Sequence, residues 1–311
     1  MQEKLAFVFP GQGSQVVAML SDFAEQEIVQ QTFTEASEAL GYDLWQLVAQ
    51  GPAEKLNQTN FTQPALLTAS VALWRLWNSE SDIKPDVVAG HSLGEYSALV
   101  CAEVLSLADA VKLVEKRGEL MQACVPEGVG AMAAVIGLAD DVIINACEQA
   151  QESEVVSAVN FNSPGQVVIA GHKAAVERAG ELCKEAGAKR VLPLPVSVPS
   201  HCALMQDAAE KLAVELDKIT LNAPKIDVVN NVDVAIESDP EAIKKALVRQ
   251  LYSPVRWSET VVELAKGGVN VAVEVGPGKV LQGLLKRIDK SINCVSLNDE
   301  ASLAKTKELI K

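Results

Sequence analysis

The feature that most constrains this chain is an apolar run that ends in a Gly-x-Ser-x-Gly turn and continues with helical character. Residues 87–100 read VVAGHSLGEYSALV, with Ser92 at the tip and a glycine two positions away on each side. A chain that turns from a buried strand directly into a helix is crowded at the turn, and glycine tolerates a close backbone approach. The serine hydroxyl then projects from the sheet, as in a nucleophile elbow. The pattern predicts an α/β fold with Ser92 as candidate nucleophile.

Other apolar runs alternate with helical periodicity, which indicates a parallel sheet covered by helices on both faces. The elements predicted on this basis are strands at 5–9, 86–89, 228–229 and 271–275, and helices around 21–48, 64–78, 93–104 and 279–288. The chain has 311 residues. Because a single core stops growing at about 250–300 residues, a second, smaller domain is expected.

The middle of the chain has the order β-α-β-β-α-β, which is typical of the ferredoxin-like unit. Its predicted elements are strand 130–137, helix 140–150, strands 155–160 and 166–170, helix 173–186 and strand 190–194. An Asn-Ser-Pro-Gly turn at 162–165 is a strong hairpin signal. We therefore predict a large α/β-hydrolase-like domain with a parallel sheet (residues 1–127 and 198–311). A smaller ferredoxin-like domain (residues 128–197) is inserted in it, with ligand in the cleft between the two.

Charge and cysteine usage limit the classes of partner and the compartment. Forty-one acidic residues against 27 basic ones give a net charge of −14, which disfavours nucleic acid or an anionic membrane as the main partner. The six cysteines are scattered without a C-x-x-C pair, which is typical of reduced thiols in a cytosolic protein. The first apolar run is too short for a signal peptide or a membrane span. We expect a soluble, cytoplasmic protein.

The glycine-rich loops at 11–13 and 276–279 do not have the spacing of nucleotide-binding loops. GQG lacks the Gly-x-Gly-x-x-Gly spacing of dinucleotide sites, and GPGK lacks the spacing of a phosphate-binding loop. Neither loop therefore supports nucleotide triphosphate chemistry. We expect no cofactor and no metal. A backbone N–H near Gln12 could instead form an oxyanion hole together with the N–H of Leu93, the residue after the candidate nucleophile.

Three histidines are available as a base for Ser92. His91 adjoins Ser92 on the turn, where neighbouring side chains point in different directions, so a packing role is expected for it. His172 is expected to open a surface helix of the small domain. His201 ends a proline-rich segment, 195–201, which runs extended from the small domain to the large one. His201 therefore faces the cleft and is the candidate general base.

A Ser–His pair needs a group that orients the imidazole. No carboxylate after Ser92 stands out at the end of a strand. Asp207 and Asp233 remain open as candidates, and so does a backbone carbonyl, which a sequence does not reveal.

Arg117 lies on the apolar side of a predicted helix. Ser106 and Asp109 resemble a capping box, so a helix should begin at residue 107. Apolar residues recur along it with helical spacing, and Arg117 falls in their stripe. A buried guanidinium needs a partner. Periodicity alone leaves two equal possibilities, an internal carboxylate such as Glu95 or a substrate carboxylate held by two hydrogen bonds.

Taken together, these motifs resemble those of the malonyl-CoA:acyl carrier protein transacylase family, in its stand-alone bacterial form. The matching stretches, which occur in the family's order along almost the whole chain, are 8–15 (VFPGQGSQ), 90–95 (GHSLGE), 130–132 (GAM), 160–166 (NFNSPGQ), 199–201 (PSH) and 274–278 (EVGPG).

The resemblance implies a ping-pong transfer of the malonyl group in fatty acid synthesis. Ser92 would take malonyl from coenzyme A as an ester, with His201 as base and then acid. The amides of Gln12 and Leu93 would stabilise the oxyanion, and Arg117 would bind the malonyl carboxylate. The family orients its histidine with a main-chain carbonyl, at the position of Gln250.

The resemblance also implies a pocket residue and a partner. Ser200, before the histidine, lines the acyl pocket in related polyketide acyltransferases, and its small size alone does not exclude a methyl-branched diacid. The acyl acceptor would be the phosphopantetheine thiol of acyl carrier protein. Because such carriers are acidic, we expect a basic docking patch near the mouth of the cleft, with Lys189, Arg190, Lys286 and Arg287 as candidates.

Three other functions remain open. A serine esterase or thioesterase would share Ser92 and its turn but would have no use for a buried Arg117. A trans-acting polyketide acyltransferase is the second alternative. A non-catalytic docking protein would keep the fold and lose the Ser–His pair, which this chain retains.

Overall fold

The structure, a computed structural model, describes residues 4–126, 128–196 and 198–310. Its strands, numbered in chain order, are β1 (Lys4–Phe9), β2 (Val87–Gly90), β3 (Gly130–Ile136), β4 (Val156–Ser163), β5 (Gln166–His172), β6 (Arg190–Pro193), β7 (Asp227–Val229), β8 (Val269–Val275) and β9 (Asn293–Leu297).

The α-helices fall between these strands and after the last of them. They are α1 (Glu27–Leu40), α2 (Leu44–Gln50), α3 (Ala53–Leu56), α4 (Thr59–Glu80), α5 (Leu93–Cys101), α6 (Leu107–Cys124), α7 (Asp140–Ala150), α8 (Lys173–Glu185), α9 (Gln206–Leu216), α10 (Pro240–Gln250), α11 (Trp257–Lys266), α12 (Val280–Ile288) and α13 (Glu300–Leu309). No helix in the described part of the chain is both long and apolar enough to cross a membrane.

The larger sheet is parallel throughout, with the strand order β7-β2-β1-β8-β9. Its central strand, β1, is buried over five of its six residues, as expected for a strand covered on both faces. Gln12, Ser92, Asn231 and Gly276 follow the carboxyl ends of four adjacent strands. Ligands bind at this edge in open α/β sheets, because the loops that follow the strands meet there.

The smaller sheet is antiparallel, with the order β4-β5-β3-β6. Its strands and helices follow one another as β3-α7-β4-β5-α8-β6, which is the predicted order. The hairpin turn at 164–165 uses Gly165 at φ 70°, a conformation that favours glycine. The predicted boundaries of this part of the chain involve residues 127 and 197, which lie outside the described residues.

Most predicted elements are confirmed to within a few residues, and α6 begins at Leu107 as predicted, with Ser106 accepting a hydrogen bond from the backbone of Asp109. The helical character predicted around 21–48 is confirmed, but it is divided among three elements. The chain there forms a short 3-10 turn and then the separate helices α1 and α2. Helix α1 ends at Leu40, and the next residue, Gly41, has a φ of 81°, which stops the helix.

Candidate active site

The turn at Ser92 is as crowded as the sequence suggested. Ser92 has φ 52° and ψ −106°, a strained conformation for a residue with a side chain. A Cβ on Gly90 would lie 1.9 Å from the carbonyl carbon of Gly94, and a Cβ on Gly94 would lie 2.1 Å from the backbone oxygen of Phe9. Both positions therefore require glycine, and the sharp turn they permit exposes the Ser92 hydroxyl to the cleft.

Ser92 is hydrogen-bonded to His201. Its Oγ lies 2.8 Å from His201 Nε2, and the other ring nitrogen, Nδ1, lies 2.7 Å from the backbone oxygen of Gln250. A carbonyl oxygen only accepts, so Nδ1 carries the proton and Nε2 is left free to accept the serine proton. His201 is 3% exposed and has φ 65°, so its backbone is held in an unusual conformation at the seam of the two sheets.

Burial keeps the His201 ring neutral. Desolvation, followed by the positive charge of Arg117, lowers the pKa of His201 from 6.5 to about 3. A neutral imidazole is the form that can take a proton from a hydroxyl. The ring is therefore in its proton-accepting form at neutral pH.

Arg117 reaches the same hydroxyl from helix α6 and is 1% exposed. One terminal nitrogen donates to the side-chain oxygen of Gln63 at 2.9 Å. The other donates to the side-chain oxygen of Gln250 at 3.0 Å and lies 3.4 Å from Ser92 Oγ. No carboxylate of the described residues forms an ion pair with it, so the internal partner considered above, Glu95, is not in direct contact. The positive charge is held by neutral amide oxygens and faces the candidate nucleophile.

The carboxylate of Glu95 instead organises the groups around the turn. One of its oxygens accepts from the side-chain nitrogen of Gln250 at 2.8 Å and from the backbone nitrogen of Asn231 at 2.9 Å. Asn231 in turn accepts from the backbone nitrogen of Ser92 at 2.7 Å and donates to the backbone oxygen of Gly90. Desolvation is the main reason that the pKa of Glu95 rises from 4.5 to about 7.

A cleft of about 310 Å³ opens above Ser92. Residues from both sheets line it. From the larger sheet and its helices these include Gln12, Leu93 and Arg117, and from the smaller sheet and the segment after it Met132 and Val196. Leu93 is the first residue of helix α5, where a backbone N–H has no acceptor within the helix. The two residues whose amides are predicted to bind an oxyanion, Gln12 and Leu93, thus line the same cleft as Ser92.

The remaining sequence candidates form no side-chain hydrogen bond to Ser92 or His201, although His91 and Ser200 line the same cleft. His91 Nε2 is 2.8 Å from the side-chain oxygen of Asn162, and desolvation lowers the pKa of His91. His172 precedes helix α8 and accepts a backbone hydrogen bond in the smaller sheet. Asp207 is exposed, and Asp233 pairs with an arginine on the surface. Neither aspartate is hydrogen-bonded to the His201 ring.

Sequence reasoning missed two polar residues of the site. Gln63 is fully buried in helix α4, beside Pro64 in an otherwise apolar stretch, and a buried amide of this kind signals an internal partner. Asn231 follows the short strand β7 at the carboxyl edge of the sheet, a position that itself favours a functional role.

The four basic residues proposed for docking, here called the basic cluster, are Lys189, Arg190, Lys286 and Arg287, and all are exposed. Ile136 pairs with both Gln166 and Arg190 across the small sheet, and Arg287 donates to the Gln166 side chain at 2.7 Å. The cluster therefore gathers at one end of that sheet. None of these four side chains lines the cleft. Ile136, beside the cluster, lies four residues along strand β3 from Met132, which lines the cleft. The cluster is therefore about 13 Å along the strand from the cleft.

Among the described residues, no group of three His, Cys, Asp or Glu side chains is placed to hold a metal ion. The site described here consists of a hydroxyl, an imidazole, a guanidinium, the carboxyl group of Glu95 and several amides. This set of groups suits acyl transfer through a serine ester.

Comparison with known proteins supports the same chemistry. The chain matches the model of the acyl transferase domain family over residues 6–307. The malonyl CoA-acyl carrier protein transacylase of Haemophilus influenzae is 66% identical over 310 residues, which are 99% of this chain and 99% of that protein.

Solved structures of similar proteins have the same fold over almost the whole chain. The crystal structure of an acyl carrier protein S-malonyltransferase from Vibrio cholerae is 64% identical with a TM-score of 0.96, covering 98% of this chain and 100% of the other. A malonyl-transacylase in complex with its type II PKS acyl carrier protein is 59% identical with a TM-score of 0.97, covering 99% and 100%. The chain described here is therefore an acyltransferase that belongs to the acyl transferase domain family.

Proposed function

We propose that this acyltransferase moves a malonyl group from malonyl-CoA to the phosphopantetheine thiol of acyl carrier protein, through a malonyl ester on Ser92, and so feeds fatty acid synthesis. One observation carries the proposal. The Ser92 hydroxyl is hydrogen-bonded to a neutral His201 on one side and faces the buried guanidinium of Arg117 on the other. The first contact supplies a nucleophile, and the second supplies a partner for a carboxylate on the acyl group.

In the first half-reaction, Ser92 Oγ attacks the thioester carbonyl carbon while His201 Nε2 takes the hydroxyl proton. The carbonyl oxygen becomes an oxyanion, which the backbone N–H groups of Gln12 and Leu93 stabilise. The carbon–sulfur bond then breaks, and the proton on His201 passes to the departing coenzyme A sulfur. The Gln250 carbonyl holds the ring in position and stabilises it while it is positively charged.

The second half-reaction runs the same steps with the carrier as nucleophile. The phosphopantetheine thiol gives its proton to His201 and attacks the ester carbonyl, and Ser92 leaves with the proton returned to it. Arg117 holds the malonyl carboxylate by a two-bond fork throughout, which orients the acyl group and favours carboxylated substrates. No cofactor takes part in this scheme.

Recognition of the carrier is assigned to the basic cluster. Its four cations lie on an acidic protein of net charge −14, so a local positive surface is needed to attract an acidic partner. Since the basic cluster lies at an end of the small sheet, we propose that the carrier body rests there while its flexible arm enters the cleft.

The division into domains belongs to the same proposal. A large α/β-hydrolase-like domain, 1–127 and 198–311, would carry Ser92, Arg117 and His201. A ferredoxin-like domain, 128–197, would form the opposite wall of the cleft. The strand order β4-β5-β3-β6 supports the second assignment. A cytoplasmic location is proposed as well, supported by the six cysteines, all of which are free.

A transfer assay tests the proposed function. The protein is incubated with malonyl-CoA and holo acyl carrier protein, and the carrier is weighed by intact mass spectrometry. We expect malonyl-carrier to form with the wild type and to be lost with His201→Ala. Release of free malonate at the same rate with or without carrier would instead indicate a thioesterase.

A carrier comparison addresses the second candidate, a trans-acting polyketide acyltransferase. The malonyl-transacylase in the solved complex, 59% identical to this chain, is bound to a type II PKS carrier. Initial rates with a fatty acid carrier and a polyketide carrier should favour the fatty acid carrier if the proposal is correct.

A further inference from the structure

Gln250 offers its side-chain amide to groups of opposite hydrogen-bonding character. The amide oxygen accepts from Arg117, while the amide nitrogen donates to Glu95 at 2.8 Å and to the backbone oxygen of Ser92 at 3.0 Å. If the amide were turned by 180°, its oxygen would face two other oxygens and its NH2 would face a guanidinium, which has no acceptor. The orientation of this amide therefore decides whether Arg117 has a hydrogen-bond partner there.

Glu95 is the side chain that favours the observed orientation. It is 2% exposed, and Gln250 is 0% exposed, so water does not compete for either group. Glu95 reaches Gln250 from the first turn of helix α5, directly after the nucleophile. The backbone nitrogen of Asn231 donates to the same carboxylate oxygen and holds it in place.

We infer that Glu95 is a positioning residue for acyl selectivity, which acts through the Gln250 amide to keep Arg117 aimed at the carboxylate of the acyl group. This inference rests on the proposed function. Glu95 acts as a hydrogen-bond acceptor, placed at a fixed distance from the Gln250 side-chain nitrogen. Its charge is secondary, because a neutral amide oxygen in the same place would orient Gln250 equally well.

Among the described residues the buried guanidinium has no carboxylate partner, and the position of Glu95 behind the Gln250 amide accounts for this. A direct ion pair with Glu95 would occupy the fork that the substrate needs, and breaking a buried ion pair is costly. With the Gln250 amide between them, Glu95 holds Arg117 in place indirectly and leaves its charge available to the incoming acyl group.

Two conservative variants separate distance from charge. Glu95→Gln keeps the length of the side chain and an acceptor oxygen but removes the charge. Glu95→Asp keeps the charge but withdraws the carboxylate by one methylene, beyond hydrogen-bond reach of Gln250. For each variant, loading of Ser92 from malonyl-CoA and from acetyl-CoA is followed by rapid-quench mass spectrometry, giving kcat and KM for both acyl donors.

We expect Glu95→Asp to raise KM for malonyl-CoA about tenfold, which is about 1.4 kcal/mol, with kcat and acetyl loading changed by less than about threefold. Glu95→Gln should stay within about threefold of the wild type for both donors. If Glu95→Gln raised the KM for malonyl-CoA more than Glu95→Asp does, the inference would be overturned, because the charge of Glu95 would then be the property that matters. Equal losses for malonyl and acetyl in Glu95→Asp would also overturn it, since Glu95 would then act only on the turn at Ser92.

A matched control guards against a general loss of stability. Glu274 is another buried carboxylate, which accepts hydrogen bonds from the backbone of Leu281 and Gln282 away from Arg117. Glu274→Asp should leave the malonyl-to-acetyl ratio unchanged. If the wild type itself does not load malonyl, the proposed function fails. If the wild type loads malonyl normally but Glu95→Gln has a higher KM for malonyl-CoA than Glu95→Asp, only the inference about Glu95 fails.

Discussion

Arg117 and Glu95, the two charged side chains buried beside the turn at Ser92, form no ion pair, and the side-chain amide of Gln250 lies between them. Each end of that amide meets the charge that suits it, the oxygen facing the guanidinium and the nitrogen facing the carboxylate. The same residue gives its backbone carbonyl to His201. Gln250 therefore connects the base, the candidate carboxylate receptor and the nucleophile's turn.

Replacing Arg117 should separate acyl selectivity from chemistry. Loss of one member of a buried charge pair costs about 2–5 kcal/mol, so Arg117→Ala should lower malonyl transfer by about 30-fold to several thousand-fold. Acetyl transfer should hold steady or rise, because the Ser92–His201 pair is intact. Arg117→Lys should recover only part of the loss, since a point charge does not form the fork. The measurement is the malonyl-to-acetyl ratio in folded protein, and a parallel fall of both activities would show that Arg117 is only structural.

The rate of acylation should not fall at acidic pH as it would if the base were a histidine of ordinary pKa. The base must be neutral, and burial lowers the pKa of His201 to about 3. The rate constant kcat/KM for loading from malonyl-CoA should therefore stay within about twofold between pH 5 and pH 8. A histidine with a pKa of about 6.5 would lose about 30-fold at pH 5. An acid limb centred near pH 6.5 would contradict the neutral, desolvated ring described here.

Glu95 should make the folded state less stable as pH rises toward neutrality. Its carboxyl has a pKa of about 7 in the folded protein against 4.5 as the reference value. Between these values the folded state keeps a proton that the unfolded chain releases, so the free energy of unfolding falls as pH increases. The full difference is about 3 kcal/mol at ~1.4 kcal/mol per pKa unit. Chemical denaturation at pH 5 and pH 8 should show a smaller decline for Glu95→Gln than for the wild type, and identical declines would refute the assignment.

Reversing charge in the basic cluster should slow only the second half-reaction. Lys286→Glu with Arg287→Glu is expected to lower the rate of transfer to acyl carrier protein, most strongly at low salt, because screening weakens attraction between exposed charges. Loading from malonyl-CoA should not change. A control with the same charge change is Lys218→Glu with Lys266→Glu, at exposed positions in the turn after helix α9 and at the end of helix α11. Carrier kinetics unchanged even at low salt would remove these two residues from the docking surface.

The sequence predicted the parts of this site that depend on local pattern. The turn at Ser92 is specified by two glycines within five residues, and Arg117 lies on the buried side of helix α6 because apolar residues recur around it with helical spacing. The hairpin at 162–165 follows from its own turn residues. Each of these features needs only neighbours along the chain.

The partners of Arg117 could not be read in the same way. Gln63 and Gln250 lie 54 and 133 residues away in the sequence, and only the packing of helix α4 against α6 and the fold of the larger sheet bring them together. Periodicity identified a buried cation but left Glu95 and a substrate carboxylate equally open. The break between α1 and α2 was missed because the apolar spacing continues across Gly41, where the backbone changes direction.

The central claim is that malonyl is carried as an ester on Ser92, and peptide mapping after loading tests it most directly. The protein is mixed with malonyl-CoA, quenched in acid, digested and analysed by tandem mass spectrometry. We expect the mass of one malonyl group on the peptide that contains Ser92, its disappearance when holo acyl carrier protein is added before the quench, and no covalent label on Ser92→Ala. A malonyl group that stays on Ser92 in the presence of carrier, or that still attaches to Ser92→Ala, would contradict the account.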